Sequence, residues 1–253
     1  MPDGLFVGRR EQRRHELYEL FQAARRLGPT HVFLPGWTFV YTPEERQQGE
    51  PERDIDWLAA VTREFCFIGE LTQHGKRRGE GFQRPPEGLG VIALERGRVL
   101  PDRIRQWFAE GWEAEDRSER YVGLEGEVFG RRRLIALGGI RLFILVCGES
   151  GFLRNTQGQN NEVLALRGEV PERTLADMLA LDYQVAFNPA HTRMGNDGKM
   201  HKRWECLSRP RSQDGQRYCL FTTNDDTARC MYAYSNGDEL PLRVKRNWSA
   251  DRT

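Results

Sequence analysis

Lysine is scarce in this chain. Lys76, Lys199, Lys202 and Lys245 are the full set, so nearly all positive charge is arginine, and no lysine stands between Lys76 and Cys147. Chemistry that needs an amine in that stretch is excluded. The five cysteines are odd in number and contain no CxxC pair, which argues against a zinc site or a disulfide framework and fits a reducing cytoplasm. No apolar run approaches the ~18 residues of a membrane span, and Met1 to Gly8 lacks the basic start and apolar core of a secretory signal. A formal net charge of +1 gives no global attraction for nucleic acid or an anionic membrane. There is no GxxxxGK[ST] phosphate cradle, and Asn224-Asp225-Asp226 lacks the spacing of a calcium loop. Neither a metal nor a cofactor is expected.

What remains is the composition of a globular protein, 38% hydrophobic and 30% charged over 253 residues, enough for one large core. No repeat or linker divides it, so residues 1–253 are read as a single domain. Leu17, Leu20, Phe21 and Ala24 recur at helical spacing between Arg9 and Leu27, and Gly28-Pro29 stops that helix. His31 to Pro35 reads as a short strand, Asp54 to Arg63 as a helix, and Phe65 to Glu70 and Val91 to Leu94 as strands. Leu134 to Leu137 and Leu142 to Val146 form a ribbon across Gly138-Gly139. A helix over Pro171 to Leu181, a strand over Tyr183 to Asn188 halting at Pro189, and a helix over Lys199 to Ser208 follow. Strands over Tyr218 to Thr223 and Ala228 to Ser235 end at the Asn236-Gly237 turn. Helices interleave with strands throughout, which predicts an α/β or α+β domain with helices covering sheet faces.

The chemistry concentrates where Leu142-Phe143-Ile144-Leu145-Val146 runs into Cys147-Gly148-Glu149. An unbroken apolar run of this length reads as a strand buried on both faces. A thiol at its end, beside a glycine that lets the backbone turn, is a candidate nucleophile, with a buried structural cysteine as the alternative. His191, just past Asn188-Pro189-Ala190, is a candidate activator of that thiol. The tryptophans read first as core or interface anchors, and Trp37 beside Gly36 is placed to fill space that a substrate would otherwise use.

The order of these strings resembles the nitrilase, or carbon–nitrogen hydrolase, superfamily. The opening helix followed by Val32-Phe33-Leu34-Pro35 is similar to that family's first helix and strand. Gly90 to Leu94 with Gly97 resembles its hairpin before the catalytic lysine, and Leu145 to Glu149 resembles its nucleophile motif. Val185 to Ala190 resembles its next strand, and His201 to Ser208, Tyr218 to Asn224 and Asn236-Gly237 resemble its C-terminal helix and strand pair. The resemblance implies an αββα sandwich that assembles into four layers as a homodimer or higher homo-oligomer. It also implies cysteine chemistry on a small-molecule amide or nitrile, with a Glu base and a Lys that meets the oxyanion.

This chain departs from that pattern. Gly36 follows Pro35 where the family's base Glu would stand, and glycine carries no proton. The lysine position falls on Arg105, or on Gln106 one residue later; arginine keeps the cation but does not give up its proton. Cys147 is retained. Two readings follow. In one, the protein is a hydrolase or acyl transferase in which Cys147 attacks, Arg105 stabilises charge, and Glu149 or His191 handles the proton, although the resemblance also implies that Glu149 is a structural hydrogen-bond partner. Gly36, Trp37, Asn188 and His191 then line the pocket. In the other, the fold persists without catalysis, as a binding or scaffold module.

Overall fold

The computed structural model describes residues 9–73, 85–108, 119–155, 162–166, 175–191, 197–210, 215–223 and 231–241. In chain order the first half runs α1 (Arg10–Leu27), β1 (His31–Phe33), β2 (Phe39–Tyr41), α2 (Pro43–Gln47), α3 (Glu50–Val61), β3 (Cys66–Gln73), β4 (Gly90–Glu95) and β5 (Arg98–Val99). The second half runs α4 (Glu119–Phe129), β6 (Leu134–Leu137), β7 (Ile140–Ile144), a 3₁₀ turn at Cys147–Phe152, β8 (Leu153–Asn155), β9 (Val163–Leu166), α5 (Leu175–Leu179), β10 (Val185–Ala190), α6 (Asp197–Leu207), β11 (Tyr218–Thr223), β12 (Met231–Ser235) and β13 (Asp238–Glu239).

Two mixed sheets carry these strands, apart from β8 and β9, which pair with each other as a separate antiparallel ribbon. In the first, β3 is central: β1 and β2 pair with it in parallel, β4 pairs antiparallel, and β5 follows β4. The second runs β13-β12-β11-β10-β7-β6, with a parallel centre of β7, β10 and β11. Alternation along a strand sends neighbouring side chains to opposite faces, and the layers follow from it. Phe67 and Leu71 of β3, with Ile92 and Leu94 of β4, join a core with Leu17 and Phe21 of α1 and Leu58 of α3. Cys66 and Ile68, with Val91 and Ala93, share the other core with Leu142, Ile144, Ala186 and Phe187 of the second sheet. Phe33 meets Phe187 edge to face across the two sheets, with ring centroids 5.0 Å apart. On the far side Trp204 of α6 packs on Phe221 of β11 at 4.3 Å. The succession is helix, sheet, sheet, helix, the predicted αββα sandwich.

Several elements differ from the expectation, each for a physical reason. α3 begins at Glu50, ahead of Asp54, because Gly49 in the left-handed region turns the chain and Pro51 is preset for a first helical turn. α4 lies in the acid-rich stretch, where Tyr121, Leu124 and Val128 are buried at helical spacing beneath the charge. β10 passes through Pro189 and does not halt there. The Phe187 carbonyl accepts from Leu145, so alternate residues of β10 face β7, and β7 ends its pairing at that level. The N–H that Pro189 lacks would face the Leu145 carbonyl on that edge, and the Asn188 side chain donates to that carbonyl instead, while pairing with β11 at Thr222 continues. Of the helix expected over Pro171 to Leu181, residues 171–174 lie outside the described set, as do residues 228–230 of the expected strand.

Candidate active site

β7 and β10 are parallel neighbours, so their C-terminal ends open at one rim of the second sheet. The five residues from Leu142 to Val146 are all buried, as a strand covered on both faces requires. Cys147 then breaks the extended path with φ +50° and opens the 3₁₀ turn. A left-handed non-glycine residue costs about 1–3 kcal/mol and persists only where its surroundings fix it. Here Asn188 of β10 does so: its Nδ2 donates to the carbonyls of Leu145 at 2.5 Å and of Cys147 at 3.1 Å, one on each side of the bend. The thiol ends up 6% exposed.

Glu149 braces the same turn from beneath. Its Oε2 accepts from the Val146 N–H at 2.7 Å and from Arg133 Nη1 at 2.8 Å; its Oε1 accepts from the Trp107 N–H at 2.7 Å and from Arg133 Nη2 at 3.0 Å. Both carboxylate and guanidinium are fully buried. Burial, outweighing Arg133, holds the Glu149 carboxyl above its usual range. With four donors on two oxygens, Glu149 is committed to holding backbone. The expectation that it handles the proton gives way to a bracing position. Arg105 directs Nη1 to the Pro85 carbonyl at 3.3 Å, and its own carbonyl accepts from Arg133 at 3.1 Å; neither contact involves the thiol. Gln106, the neighbouring register, donates to the Phe108 carbonyl.

His191, at the end of β10, is the group that reaches Cys147, and the two share a hydrogen bond. The other side of the ring is held from the first sheet. Glu70 stands on β3 in step with Cys66 and Ile68, and so on the face between the sheets. Its Oε2 lies 2.7 Å from His191 Nε2. The same Oε2 accepts from the Trp37 N–H at 2.8 Å, and the Glu70 N–H donates to Thr38 Oγ1 at 3.0 Å. The Trp37 indole stacks on the imidazole, 4.7 Å between centroids and 11° between planes.

Gly36 completes the enclosure by having no side chain. Its N–H donates to the Ala190 carbonyl at 3.1 Å, and a Cβ there would sit 2.4 Å from His191 Cδ2. The imidazole fills the volume into which a side chain at this position would project. Absence of a carboxylate at Gly36 and presence of an imidazole at His191 are thus one structural fact.

The electrostatics agree with the geometry. Burial alone would lower the affinity of His191 for a proton, but Glu70 and the sulfur outweigh it and hold the imidazolium well above its ordinary range. Burial alone would push the Cys147 thiol up, but the charged ring brings it net below its ordinary value, against a smaller opposing effect of Glu70. Among the described residues the other three thiols shift the opposite way: burial raises Cys66, Cys206 and Cys219. Gly36, Trp37, Asn188 and His191 are thus brought together around Cys147. Glu70 is the residue that sequence reasoning missed. Its signal was a lone carboxylate in step with apolar Cys66 and Ile68 on an otherwise buried strand.

Among the described residues no cluster of three or more His, Cys, Asp or Glu could hold a metal ion, and no helix is long and apolar enough to cross a membrane. No protein-family model matches the chain, and no curated protein matches it in sequence. Solved structures do resemble it. A cysteine-to-alanine variant of the Nesterenkonia AN1 amidase from the nitrilase superfamily aligns with a TM-score of 0.50 and 13% identity, covering 91% of this chain and 79% of that one. Another structure of an amidase from Nesterenkonia sp. aligns at 0.48, with the same identity and coverage. The chain has the nitrilase-superfamily fold.

Proposed function

We propose that this protein is a cysteine-dependent hydrolase or acyl transferase acting on the C–N bond of a small amide, with Cys147 as nucleophile, His191 as its acid–base partner and Glu70 as the group that orients the ring. The observation that carries this reading is the line Cys147–His191–Glu70, drawn from both sheets and closed at Nε2 by a 2.7 Å contact. The likeness in fold to an amidase supports the substrate class.

The steps follow from the charges. In this reading the resting pair is thiolate and imidazolium, the direction in which each group shifts the other, so no separate base is needed to create the nucleophile. The sulfur attacks the amide carbonyl carbon and a tetrahedral intermediate forms. His191 gives its proton to the leaving nitrogen as the C–N bond breaks, leaving a thioester and a neutral imidazole. Water then attacks the thioester; His191 takes one of its protons, the C–S bond breaks, and the carboxylic product leaves with the resting pair restored. An amine in place of water gives acyl transfer. Glu70 keeps the ring in plane and stabilises its charged form without taking the proton. Asn188 and Glu149 hold the bend that presents the sulfur. In this reading one imidazole carries the proton traffic that the family resemblance would give to a glutamate.

A scaffold module would have no use for a thiol set against a carboxylate-backed imidazole, and this pairing favours the enzyme reading. The test is ammonia release from simple carboxamides together with iodoacetamide labelling followed by mass spectrometry, with Cys147→Ser as control. Cys147 is expected to alkylate faster near neutrality than the buried thiols, and turnover to vanish in the variant. Labelling no faster than at Cys206 or Cys219, with ammonia release indifferent to the substitution, overturns the proposal.

A further inference from the structure

The segment Gly36-Trp37-Thr38 is shaped around one ring. Gly36 vacates the edge of His191, with the phantom Cβ 2.4 Å from Cδ2. Trp37 lies flat against the ring face at 4.7 Å and 11°. To do so it adopts φ +59°, a left-handed conformation that a bulky side chain rarely takes. That same bend aims its N–H at Glu70 Oε2, the oxygen that also receives His191 Nε2. Thr38 fixes the bend through its hydroxyl, which donates to the Pro35 carbonyl at 3.2 Å and accepts from the Glu70 N–H. The strained residue, the stacked face and the shared carboxylate oxygen coincide at one position.

We propose that Trp37 is a positioning residue: its indole clamps the charged His191 ring in the plane that joins Glu70 to Cys147. This inference deepens the thiolate–imidazolium reading above and rests on it. The titratable groups that face the ring are Glu70 from β3 and Cys147 from the 3₁₀ turn. From α1, Arg13 reaches the same loop, donating to the Thr38 carbonyl at 3.0 Å, and is itself paired with Glu16. The loop adds no charge of its own; it adds an aromatic face, which attracts a cation within about 6 Å of its centroid through the ring quadrupole. Neutral imidazole gains much less from the same face. Stacking therefore favours the proton on His191 and, through it, the thiolate on Cys147.

The predicted consequence is a pH window. Alkylation of Cys147 by iodoacetamide is set at its acid side by loss of the thiolate, and the pair is lost at its alkaline side when His191 gives up its proton. Trp37→Leu keeps an apolar filler and removes the aromatic face. It should move the acid limb up and the His191 titration down by about 0.4–1.5 pH units. Trp37→Phe, with a weaker quadrupole, should fall between the two. The His191 ring is followed directly by NMR of histidine-labelled full-length protein, with His191→Ala for assignment. A Trp37→Leu profile that superimposes on the wild type in both readouts overturns the inference. Should that variant not fold, the difference in emission between wild type and Trp37→Phe reports on the pair, because a protonated imidazole quenches a stacked indole. A difference that changes at the same pH as the His191 resonance supports the clamp, and a difference flat through that titration overturns it. If no carboxamide turns over while the His191 titration still answers to Trp37, the enzyme reading fails and the clamp stands. If turnover depends on Cys147 but is blind to Trp37, the reverse holds.

Discussion

Replacing Gly36 by alanine tests whether His191 owns the space that a side chain at this position would take. Gly36 does not adopt a left-handed φ, so the backbone tolerates a Cβ and only the surroundings resist it. The new methyl would lie 2.4 Å from His191 Cδ2 and 3.0 and 3.1 Å from the carbonyl carbon and oxygen of Ala190. The ring must retreat by roughly 1 Å to reach ordinary contact. It is pinned on one face by Trp37 and at Nε2 by Glu70, and the Ala190 carbonyl is held by the Gly36 N–H. Overpacking a fixed site in this way costs about 1–3 kcal/mol, or roughly 2–12 °C in Tm for a chain of this size. The catalytic penalty is of similar size in free energy, since a 1 Å misplacement costs on the order of 10²-fold in rate. The assay is the rate of Cys147 alkylation by iodoacetamide at pH 6–7, read beside the Tm. Gly126→Ala is the control. That glycine lies inside α4 with nothing within 4 Å of a Cβ, so the same substitution should stabilise by about 1 kcal/mol and leave Cys147 untouched. A Gly36→Ala protein with wild-type alkylation and wild-type Tm would refute the idea that the imidazole occupies this volume.

Three further outcomes follow from the same contacts. His191→Ala removes the cation opposite Cys147, leaving burial to push the thiol up; alkylation near pH 7 should fall by about 10²–10⁴, while the rate at strongly alkaline pH recovers. Arg133→Met leaves Glu149 buried against backbone donors alone and should cost about 3–5 kcal/mol in urea unfolding near neutrality. The carboxyl is then raised further, and a group raised in the folded state contributes most below its ordinary value and loses that contribution as pH rises, so the deficit should shrink toward pH 5; a deficit independent of pH counts against it. Arg217→Met deprives the carbonyls of Leu179, Leu181 and Tyr183 of their shared guanidinium, which also lies 3.8 Å over the Tyr183 ring, and should cost about 2–4 kcal/mol by the same unfolding measurement.

The fold was legible wherever periodicity and punctuation acted together. Leu17, Phe21 and Ala24 announced α1, with Gly28 at its end in the left-handed conformation that a helix stop requires. The apolar run into Cys147 announced a strand buried on both faces and the bend beyond it. α4 was hidden because its buried residues stand among glutamates, and only their spacing carried the signal. Pro189 misled because a proline halts a strand only where its absent N–H leaves an acceptor unpaired, and here the Asn188 side chain serves the Leu145 carbonyl, which no local pattern reveals.

The site was legible in its parts and not in its wiring. Cys147 and His191 stand 44 positions apart, and each was singled out by its place at a strand end; Glu70, 121 positions from His191, was not, because its role depends on which sheet its face meets. Glu149 shows the converse. Proximity in sequence made it a candidate for the proton, yet a 3₁₀ turn folds it back beneath the backbone, where Arg133 and two N–H groups use all it has to offer, in line with the structural role that the family resemblance implied. Gly36 was read as a lost base, and in isolation that was sound: glycine has no proton to move. What the sequence could not express is that a vacancy on one sheet can be the condition for a side chain arriving from the other. A restored glutamate at Gly36 would compete with His191 for one volume, so it should not rebuild a family-type site beside the present one. It should exchange one proton carrier for another, and with Arg105 held at Pro85 the exchanged site would lack the cation that the family pattern pairs with that base.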